Sequence, residues 1–243
     1  MRLTWRTATL LARRAETATA QTLVLEVAGW PGHLAGQHVD LRLTAPDGYQ
    51  AVRSYSLAAP AAGDRIELTV QRVRGGEVSA YLTDGFAVGD AVELRGPAGA
   101  WFVWRPADPG PVLLVAGGAG IVPLMAMIRA RRGRQTPFRL IYSVREPAEV
   151  FYPGELLQAP PVDRGLEAAF VYTRSAPPGF ARAPARLAAA DVADGGWPAA
   201  AEPSCFVCGP TGFVERAADL LVELGHDPRR VKTERFGPTG GAT

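Results

Sequence analysis

Two segments of this sequence place glycines at the start of a helix, a pattern that suits phosphate binding. In Gly117–Pro123, three glycines follow an apolar run and let a phosphate approach the backbone closely. A helix that begins there would direct unpaired N–H groups and its positive dipole end at that phosphate. Gly75–Ser79 has the same character, with a serine that suits a helix N-terminus. Both are candidate phosphate-binding loops; for Gly117–Pro123 the alternative is a tight turn that packs a helix onto a sheet.

A short polar run, Arg53–Ser56, combines three groups that bind parts of a nucleotide cofactor. Arg53 carries a guanidinium that can form forked hydrogen bonds to a phosphate. Tyr55 carries a ring that can stack on a planar ring, and the Ser56 hydroxyl can bond the edge of that ring. On a β-strand, Arg53 and Tyr55 share one face, so both could line one cofactor groove. The alternative is an ordinary strand with a polar face.

The composition indicates a globular chain of one large or two small domains. Its 243 residues are 47% hydrophobic and 21% charged, and the net charge is +2. This balance gives no global attraction to nucleic acid, so no nucleic-acid partner is expected. Structural zinc needs four ligands, and beside Cys205 and Cys208 the chain has only His33, His38 and His226. We therefore expect no metal site and interpret Cys205 as a small buried residue.

A run of uncharged residues, Pro109–Ile128, is long enough to be a transmembrane candidate. Glycines and Pro123 lie at its centre, however, which favours a strand, a loop and a helix over one membrane helix. Met1–Ala20 has no continuous apolar stretch, so no signal peptide is expected. The sequence thus predicts a cytoplasmic protein without a membrane span.

The first part of the chain has the short alternating runs and turn signals of an antiparallel sheet. Six strands are predicted, at Thr7–Arg14, Gln21–Ala28, His38–Thr44, Arg53–Ala58, Arg65–Val73 and Ala91–Gly96. With one short helix at Val78–Thr83, they favour a six-stranded antiparallel β-barrel. The proline-rich stretch Arg105–Pro111 then resembles a linker. We place the domain boundary here, with one domain at residues 1–106 and a second at 107–243.

The second part alternates short strands with helices. Strands are predicted at Val112–Ala116, Phe138–Val144, Ala168–Tyr172, Ser204–Cys208 and Arg230–Phe236, and helices at Pro123–Arg132, Glu155–Gln158, Ala185–Ala193 and Gly212–Leu224. The first strand, Val112–Ala116, is wholly apolar, which is typical of a parallel strand that is covered on both faces. The pattern predicts an α/β domain with a doubly wound, five-stranded parallel sheet.

Five motifs in this order resemble those of the ferredoxin–NADP reductase superfamily. Arg53–Ser56 resembles its R-x-Y-S/T flavin motif, and Gly76–Ser79 its FAD pyrophosphate motif. Gly96–Phe102 is similar to its G-P-x-G-x-F segment, Gly117–Pro123 to its G-G-x-G-I-x-P nicotinamide loop, and Cys208–Pro210 to its C-G-P motif. The resemblance runs from about residue 5 to Phe236, so it covers nearly the whole chain. It implies a barrel that binds FAD and an α/β domain that binds NAD(P)H.

The resemblance also implies a role for each matching position. Arg53 would bind the flavin pyrophosphate, Tyr55 would stack on the isoalloxazine and Ser56 would lie near flavin N5. The other FAD contacts implied are Ser54, Gln71, Arg72, Val73, Gly76, Val78 and Ser79. The nicotinamide contacts implied are Gly118, Ala119, Gly120, Cys208, Gly209 and Pro210, with Cys208 near nicotinamide C4. Glu234 and Phe236 match an acidic residue and an aromatic close to the flavin, although Gly237–Thr243 follows the aromatic here.

The choice of nicotinamide depends on charge at the strand ends, because the 2′-phosphate of NADPH needs arginine or hydroxyl groups. The candidates are Ser143, Arg145, Thr173, Arg174 and Arg182. The pair Thr173–Arg174 resembles the family's serine–arginine pair for that phosphate. NADPH is therefore favoured over NADH, and solvated arginines are the alternative.

Together these features predict a flavin-dependent oxidoreductase that passes hydride from NAD(P)H to FAD, with Ser56, Cys208 and Glu234 as its catalytic residues. Two cysteines cannot form a plant-type iron–sulfur signature, so electrons would leave to a separate ferredoxin, oxygenase or other redox protein. Three alternatives remain. They are a flavin or cytochrome reductase of the same superfamily, a non-catalytic FAD-binding electron-transfer or regulatory subunit, and a nucleotide-binding module without flavin.

Overall fold

The computed structural model describes residues 4–131, 136–157 and 165–237. The chain forms two compact units. The first runs to Arg105 and includes Met125–Ala130, and the second comprises Pro106–Leu124 and the chain from Arg131 onward.

The first unit is a six-stranded antiparallel β-barrel, as the sequence predicts. Its strands are β1 (Trp5–Thr17), β2 (Ala20–Glu26), β3 (His38–Thr44), β4 (Gln50–Ser56), β5 (Arg65–Gln71) and β6 (Ala91–Ala98). They pair in the order β4-β3-β6-β1-β2-β5. The two outer strands meet where Leu57 bridges Leu68 and the Ala58 N–H donates to Glu67 O at 2.8 Å. These contacts close the sheet, which removes its free edges.

The barrel forms because its strands carry apolar residues at every second position. On β5, Ile66, Leu68 and Val70 are all at most 1% exposed and belong to one core cluster. A helical segment follows β5: helix α1 (Glu77–Ala80) continues into a π-helical turn, Tyr81–Gly85. Val78 and Leu82 of this segment belong to the same core, so the segment packs against the barrel.

The second unit is an α/β domain with a five-stranded parallel sheet, also as predicted. Its strands are β7 (Val112–Gly117), β8 (Phe138–Val144), β9 (Leu166–Tyr172), β10 (Ser204–Pro210) and β11 (Val231–Phe236). Helix α2 (Ile121–Arg131) follows β7 and contributes Met125–Ala130 to the first unit. The other helices are α3 (Pro153–Leu156), α4 (Ala189–Gly195) and α5 (Thr211–Glu223). The strand order is β11-β10-β7-β8-β9. The order reverses between β7 and β10, and ligands of such sheets bind outside the carboxyl ends of the strands at this switch point.

The uncharged stretch Pro109–Ile128 forms a strand, a turn and most of a helix. Every residue of β7 is buried, a 3₁₀ turn follows at Gly118–Gly120, and α2 begins at Ile121. Residues 121–128 of α2 are at most 3% exposed except at Pro123, which is also buried. The stretch lacks charge because its strand and the start of its helix are interior. Within the described residues, no helix has both the length and the apolar character needed to cross a bilayer.

Helix α4 begins later than the sequence predicts, at Ala189 instead of Ala185. The backbone before it is held in another conformation, because the Arg182 guanidinium bonds Ala185 O at 3.2 Å and Arg186 O at 3.0 Å. Asp191 then starts the helix by accepting the Ala188 N–H at 2.8 Å, as carboxylates do at helix N-termini. Helix α3 is likewise shifted, to Pro153–Leu156, and Gln158 lies outside the described residues.

Candidate cofactor-binding sites

The run Arg53–Ser56 lies on β4 as predicted, in unbroken antiparallel register with β3. Arg53 pairs with Leu41 and Tyr55 with Val39, so both side chains lie on the same face of the sheet. The Arg53 side chain is exposed and donates to Val52 O at 2.7 Å. An exposed guanidinium beside an aromatic ring on one strand face is compatible with a phosphate and a planar ring bound along β4.

Tyr55 and Ser56 are less accessible than Arg53. Tyr55 is half-buried against the barrel core, and burial raises the pKa of its phenol to about 12, with the positive charge of Arg53 opposing. The phenol is therefore neutral throughout the physiological range. Ser56 is 6% exposed and lies opposite His38 in the β3–β4 register. Burial lowers the pKa of His38 although Asp40 opposes this, so that imidazole is neutral at pH 7.

On the other face of β4, Ser54 belongs to a network of polar side chains. The Ser54 hydroxyl donates to Asp40 Oδ1 at 2.6 Å, and Arg95 Nε donates to Asp40 Oδ2 at 3.0 Å. Burial acts to raise the pKa of Asp40, but hydrogen bonds from Ser54 and Arg95 outweigh it and hold that pKa below its ordinary value. Because the Ser54 proton is given to Asp40, only the lone pairs of its hydroxyl remain for another partner.

The second motif forms a tight turn into α1. The Gly76 N–H donates to Val73 O at 3.0 Å, and Gly75 has φ +74°, which glycine adopts without strain. The Ser79 hydroxyl accepts the Val73 N–H at 3.1 Å and donates to Gly76 O at 3.2 Å. A Cβ added to Gly76 would lie 2.7 Å from Ser79 Oγ. The turn is thus compact, and Val78 behind it is 1% exposed.

A hollow of about 590 Å³ adjoins this turn. Its lining residues are Thr19, Arg72, Val73, Arg74, Gly75, Gly76, Glu77 and Ala80. Arg72 also forms an ion pair with Asp84 at 3.3 Å, and Gln71, at the end of β5, is half-buried. Arg72 and Arg74 beside a glycine turn that leads into a helical segment fit a pyrophosphate, so the residues present fit the phosphate portion of FAD.

The sequence interpretation omitted two residues that the structure brings to these places. Arg74 lines the hollow, and its position directly before Gly75 was a signal that could have identified it. His38 lies opposite Ser56, and a Cβ added to Gly99 would be 3.2 Å from His38 Nδ1. Nothing in the sequence alone links His38 with Ser56, because their pairing depends on the register between two strands.

In the second unit, the two nicotinamide motifs meet at the switch point of the sheet. The turn Gly118–Gly120 follows β7, and Cys208–Pro210 forms the end of β10, its neighbour. A Cβ added to Gly120 would lie 2.0 Å from Cys208 O, and one added to Gly117 would lie 2.6 Å from the Phe213 ring. Only glycine allows this approach. The residues present fit a dinucleotide at the carboxyl ends of β7 and β10.

Cys208 is fully buried and lies beside Glu234 in the β10–β11 register. Burial raises the pKa of its thiol well above the ordinary value, and the negative charge of Glu234 adds to this although a hydrogen bond with the Gly209 backbone opposes it. Burial likewise raises the pKa of Cys205 to about 12, with the charge of Arg230 opposing. Both cysteines are free thiols. Neither has the low pKa of a reactive thiolate.

The acidic and aromatic pair near the end of the described chain lies on β11. Glu234 pairs with Cys208, and Phe236 pairs with Pro210. Both side chains are half-buried. The register therefore places Glu234 and Phe236 along the carboxyl end of β10, in the same unit as the switch point.

Two of the candidate arginines are exposed at the ends of neighbouring strands. Arg145 follows β8, and the Arg174 N–H donates to Arg145 O at 2.9 Å. Arg145 has a weak ion pair with Glu149 at 3.6 Å. The Arg174 side chain has no hydrogen bond or ion pair to the residues that the structure describes. Ser143, in contrast, is 7% exposed, and Thr173 is half-buried.

Arg182 is in a different situation, because its own loop and α4 engage all five of its N–H donors. The donors bond Asp191 through both carboxylate oxygens, Ala183 O at 3.1 Å, Ala185 O at 3.2 Å and Arg186 O at 3.0 Å. A contact between Arg182 and a 2′-phosphate would require at least one of these bonds to break. In the structure Arg182 therefore connects its own loop to α4, and its contact with a 2′-phosphate stays a prediction.

Comparisons with known proteins agree with this division into two cofactor domains. The profile of the oxidoreductase FAD-binding domain matches residues 18–103, and that of the oxidoreductase NAD-binding domain matches residues 114–219. The first match includes the β4 motif and the turn before α1, and the second includes both switch-point segments.

Similar proteins include reductases of oxygenase systems. The chain is 34% identical over 213 residues to the reductase subunit of an aromatic O-demethylase from an Amycolatopsis species, and 32% identical over 204 residues to a flavohemoprotein from Pseudomonas aeruginosa. Each match covers 84% of this chain, but only 61% and 51% of the relative. A solved cytochrome P450 reductase from Amycolatopsis superposes with a TM-score of 0.83 at 30% identity, covering 98% of this chain and 71% of that one.

The fold and the two matched domains define an oxidoreductase architecture with separate FAD and nicotinamide domains. The chain belongs to the ferredoxin–NADP reductase superfamily. It spans about half to three fifths of the length of the curated relatives it matches.

Proposed function

We propose that this protein is an FAD-dependent NAD(P)H oxidoreductase that supplies electrons to a separate redox partner, either a ferredoxin or an oxygenase component. The observation that carries this proposal is the presence in one chain of both glycine cradles, the turn before α1 and the β7–β10 switch point. Relatives named as reductase components of a monooxygenase and of a dioxygenase system support it. We place the reaction in the cytoplasm.

The barrel residues would bind and orient FAD, which supplies hydride acceptance from the nicotinamide and release of electrons one at a time. Arg53 would hold the pyrophosphate together with the backbone of Gly76 and Val78. The neutral ring of Tyr55 would stack on the isoalloxazine, because a neutral phenol carries no charge that opposes the stacking. Ser56 would donate a hydrogen bond at flavin N5, where its burial excludes competing water.

In the second unit, Gly118–Gly120 would cradle the pyrophosphate of NAD(P)H at the start of α2. Cys208, Gly209 and Pro210 would line the nicotinamide. The Cys208 thiol stays protonated, so its proposed role is to pack near nicotinamide C4 and not to act as a nucleophile. The carboxylate of Glu234 would lie beside Cys208 and could accept a proton there.

The proposal is tested by mixing the purified chain anaerobically with NADPH and with NADH and recording flavin absorbance. We expect a yellow, FAD-loaded protein whose absorbance bleaches faster with NADPH than with NADH. A colourless preparation that cannot be reconstituted with FAD, or an absorbance that neither nicotinamide changes, would contradict the proposed function.

The acceptor is tested by offering the reduced protein a ferredoxin, an oxygenase component, free flavin and a haem protein that is not an oxygenase, in separate assays. Turnover with the ferredoxin or the oxygenase component above that with the other two acceptors supports our proposal. The alternative is a cytochrome or flavin reductase, which the similarity to flavohemoproteins favours; faster turnover with the haem protein or free flavin would support that assignment. A subunit that works only inside a complex would bind FAD but show no bleaching alone.

Arg174 is proposed as the residue that selects NADPH, since its guanidinium is exposed at the end of β9. We expect Arg174→Ala to raise the KM for NADPH roughly tenfold, as for a lost charged hydrogen bond, with the KM for NADH unchanged. Arg182→Ala is the matched comparison: it removes the bonds to Asp191, so it lowers thermal stability without changing the NADPH/NADH ratio. An Arg174→Ala enzyme with an unchanged ratio would contradict the assignment.

A further inference from the structure

Arg13, a residue of β1, binds the C-terminal end of the helical segment Glu77–Gly85, which follows the glycine turn at Gly75–Gly76. Arg13 lies on β1 opposite Leu23, a fully buried core residue, so its side chain is directed to the inner face of the barrel. Its Nη1 donates to Phe86 O at 2.9 Å, and its Nη2 donates to Thr83 O. One guanidinium thus binds two carbonyls at the end of the segment.

These carbonyls lie where a helical segment needs an external donor. The segment comprises four α-helical residues, Glu77–Ala80, and five π-helical residues, Tyr81–Gly85. The Phe86 N–H donates to Tyr81 O at 2.9 Å and closes the π turn. The last carbonyls of a helix have no partner within it, and a cation stabilises that negative dipole end. Arg13 supplies both the donors and the charge.

The opposite end of the same segment is the cradle assigned to the FAD phosphates. Ser79, in its first turn, bonds both the Val73 N–H and Gly76 O. The two helical parts are continuous over nine residues, Glu77–Gly85, so the position of the C-terminal end constrains the direction of the N–H groups at the N-terminal end. Val78 and Leu82 remain packed in the barrel core, which keeps the segment folded when Arg13 is replaced.

We infer that Arg13 is a positioning residue for FAD: its bonds to Thr83 O and Phe86 O fix the segment so that the turn at Gly76 meets the pyrophosphate. This inference rests on the proposed function, because it concerns the same cofactor. It assigns Arg13 no contact with FAD.

The test compares two flavins that differ in phosphate. FAD and riboflavin are titrated into the apoprotein and binding is followed by flavin fluorescence. For Arg13→Gln we expect the Kd for FAD to rise roughly tenfold, as for the indirect loss of charged hydrogen bonds, and the Kd for riboflavin to stay within about twofold. The control is Arg14→Ala: Arg14 is the next residue on β1, is exposed and pairs only with Glu16 among the described residues. It should leave both Kd values unchanged.

Each outcome decides between roles. An FAD Kd equal to that of the unaltered chain would overturn the positioning role alone. Equal increases for both flavins would show a general effect on the barrel and would also overturn it. If Arg13→Gln does not fold, Arg13→Lys, which keeps the charge, replaces it, and an unchanged ratio of the two Kd values overturns the inference. An unaltered chain that binds neither flavin would overturn the proposed function as well.

Discussion

Replacing Arg53 with alanine is expected to give a folded protein that purifies without FAD. The Arg53 side chain is exposed, and its hydrogen bond to Val52 O is local, so its removal costs the barrel little stability. The same change removes the guanidinium proposed to hold the pyrophosphate. Losing a forked, charged contact should weaken FAD binding about a hundredfold or more. The flavin absorbance per chain after desalting measures this loss, and thermal unfolding of the apoprotein verifies the fold.

Two further variants locate the cause of this effect. Arg53→Lys keeps the charge but not the planar fork, so it should retain FAD at an intermediate level. Arg65→Ala removes an exposed arginine at the start of β5 and should retain FAD fully. Full retention of FAD by Arg53→Ala would show that Arg53 does not bind the cofactor. Flavin loss in Arg65→Ala would show that binding depends on overall charge and not on the position of the arginine.

Replacing Gly120 with alanine is expected to disable the nicotinamide domain. The new Cβ would lie 2.0 Å from Cys208 O and 2.7 Å from Gly209 N, and these are backbone atoms that cannot turn aside. The turn must move away from β10, at a cost of about 3 kcal/mol or more. We expect a lower urea midpoint, weak binding of both nicotinamides, and little bleaching of the flavin.

Gly154→Ala provides the matched control in the same unit. Gly154 lies in α3, and no described atom would be within 4 Å of its added Cβ. Alanine favours helix over glycine, so this variant should retain both stability and nicotinamide binding. A Gly120→Ala protein with the urea midpoint of the unaltered chain would contradict the close approach between the turn and β10.

Much of the fold could be predicted because its signals are local. Strands β3 and β8 have the predicted bounds, His38–Thr44 and Phe138–Val144, because alternating or continuous apolar residues end there at turn signals. The uncharged stretch Pro109–Ile128 could be assigned to a strand, a turn and a helix because glycine and proline interrupt it. The start of α4 could not be predicted, since Arg182 binds the carbonyls before it.

The candidate site was predictable to a smaller extent. A motif locates Arg53 and Tyr55 because both lie on one strand, and the period of a strand determines their common face. The pair Thr173–Arg174 resembles a phosphate-binding pair, but no local pattern shows that the Arg182 guanidinium is engaged within its own loop. The two arginines differ because Asp191 binds Arg182, and this contact depends on the position of α4, which carries Asp191.

The sequence by itself determined the order of strands and helices and the two glycine loops, because side-chain periodicity and backbone freedom are properties of neighbouring residues. Only the tertiary structure decided which polar groups are available. In the folded protein, the Arg13 guanidinium donates hydrogen bonds to Thr83 O and Phe86 O, and the Cys208 thiol is buried beside Glu234. The physical reason is that hydrogen-bond partners, burial and pKa depend on groups brought together from distant parts of the chain.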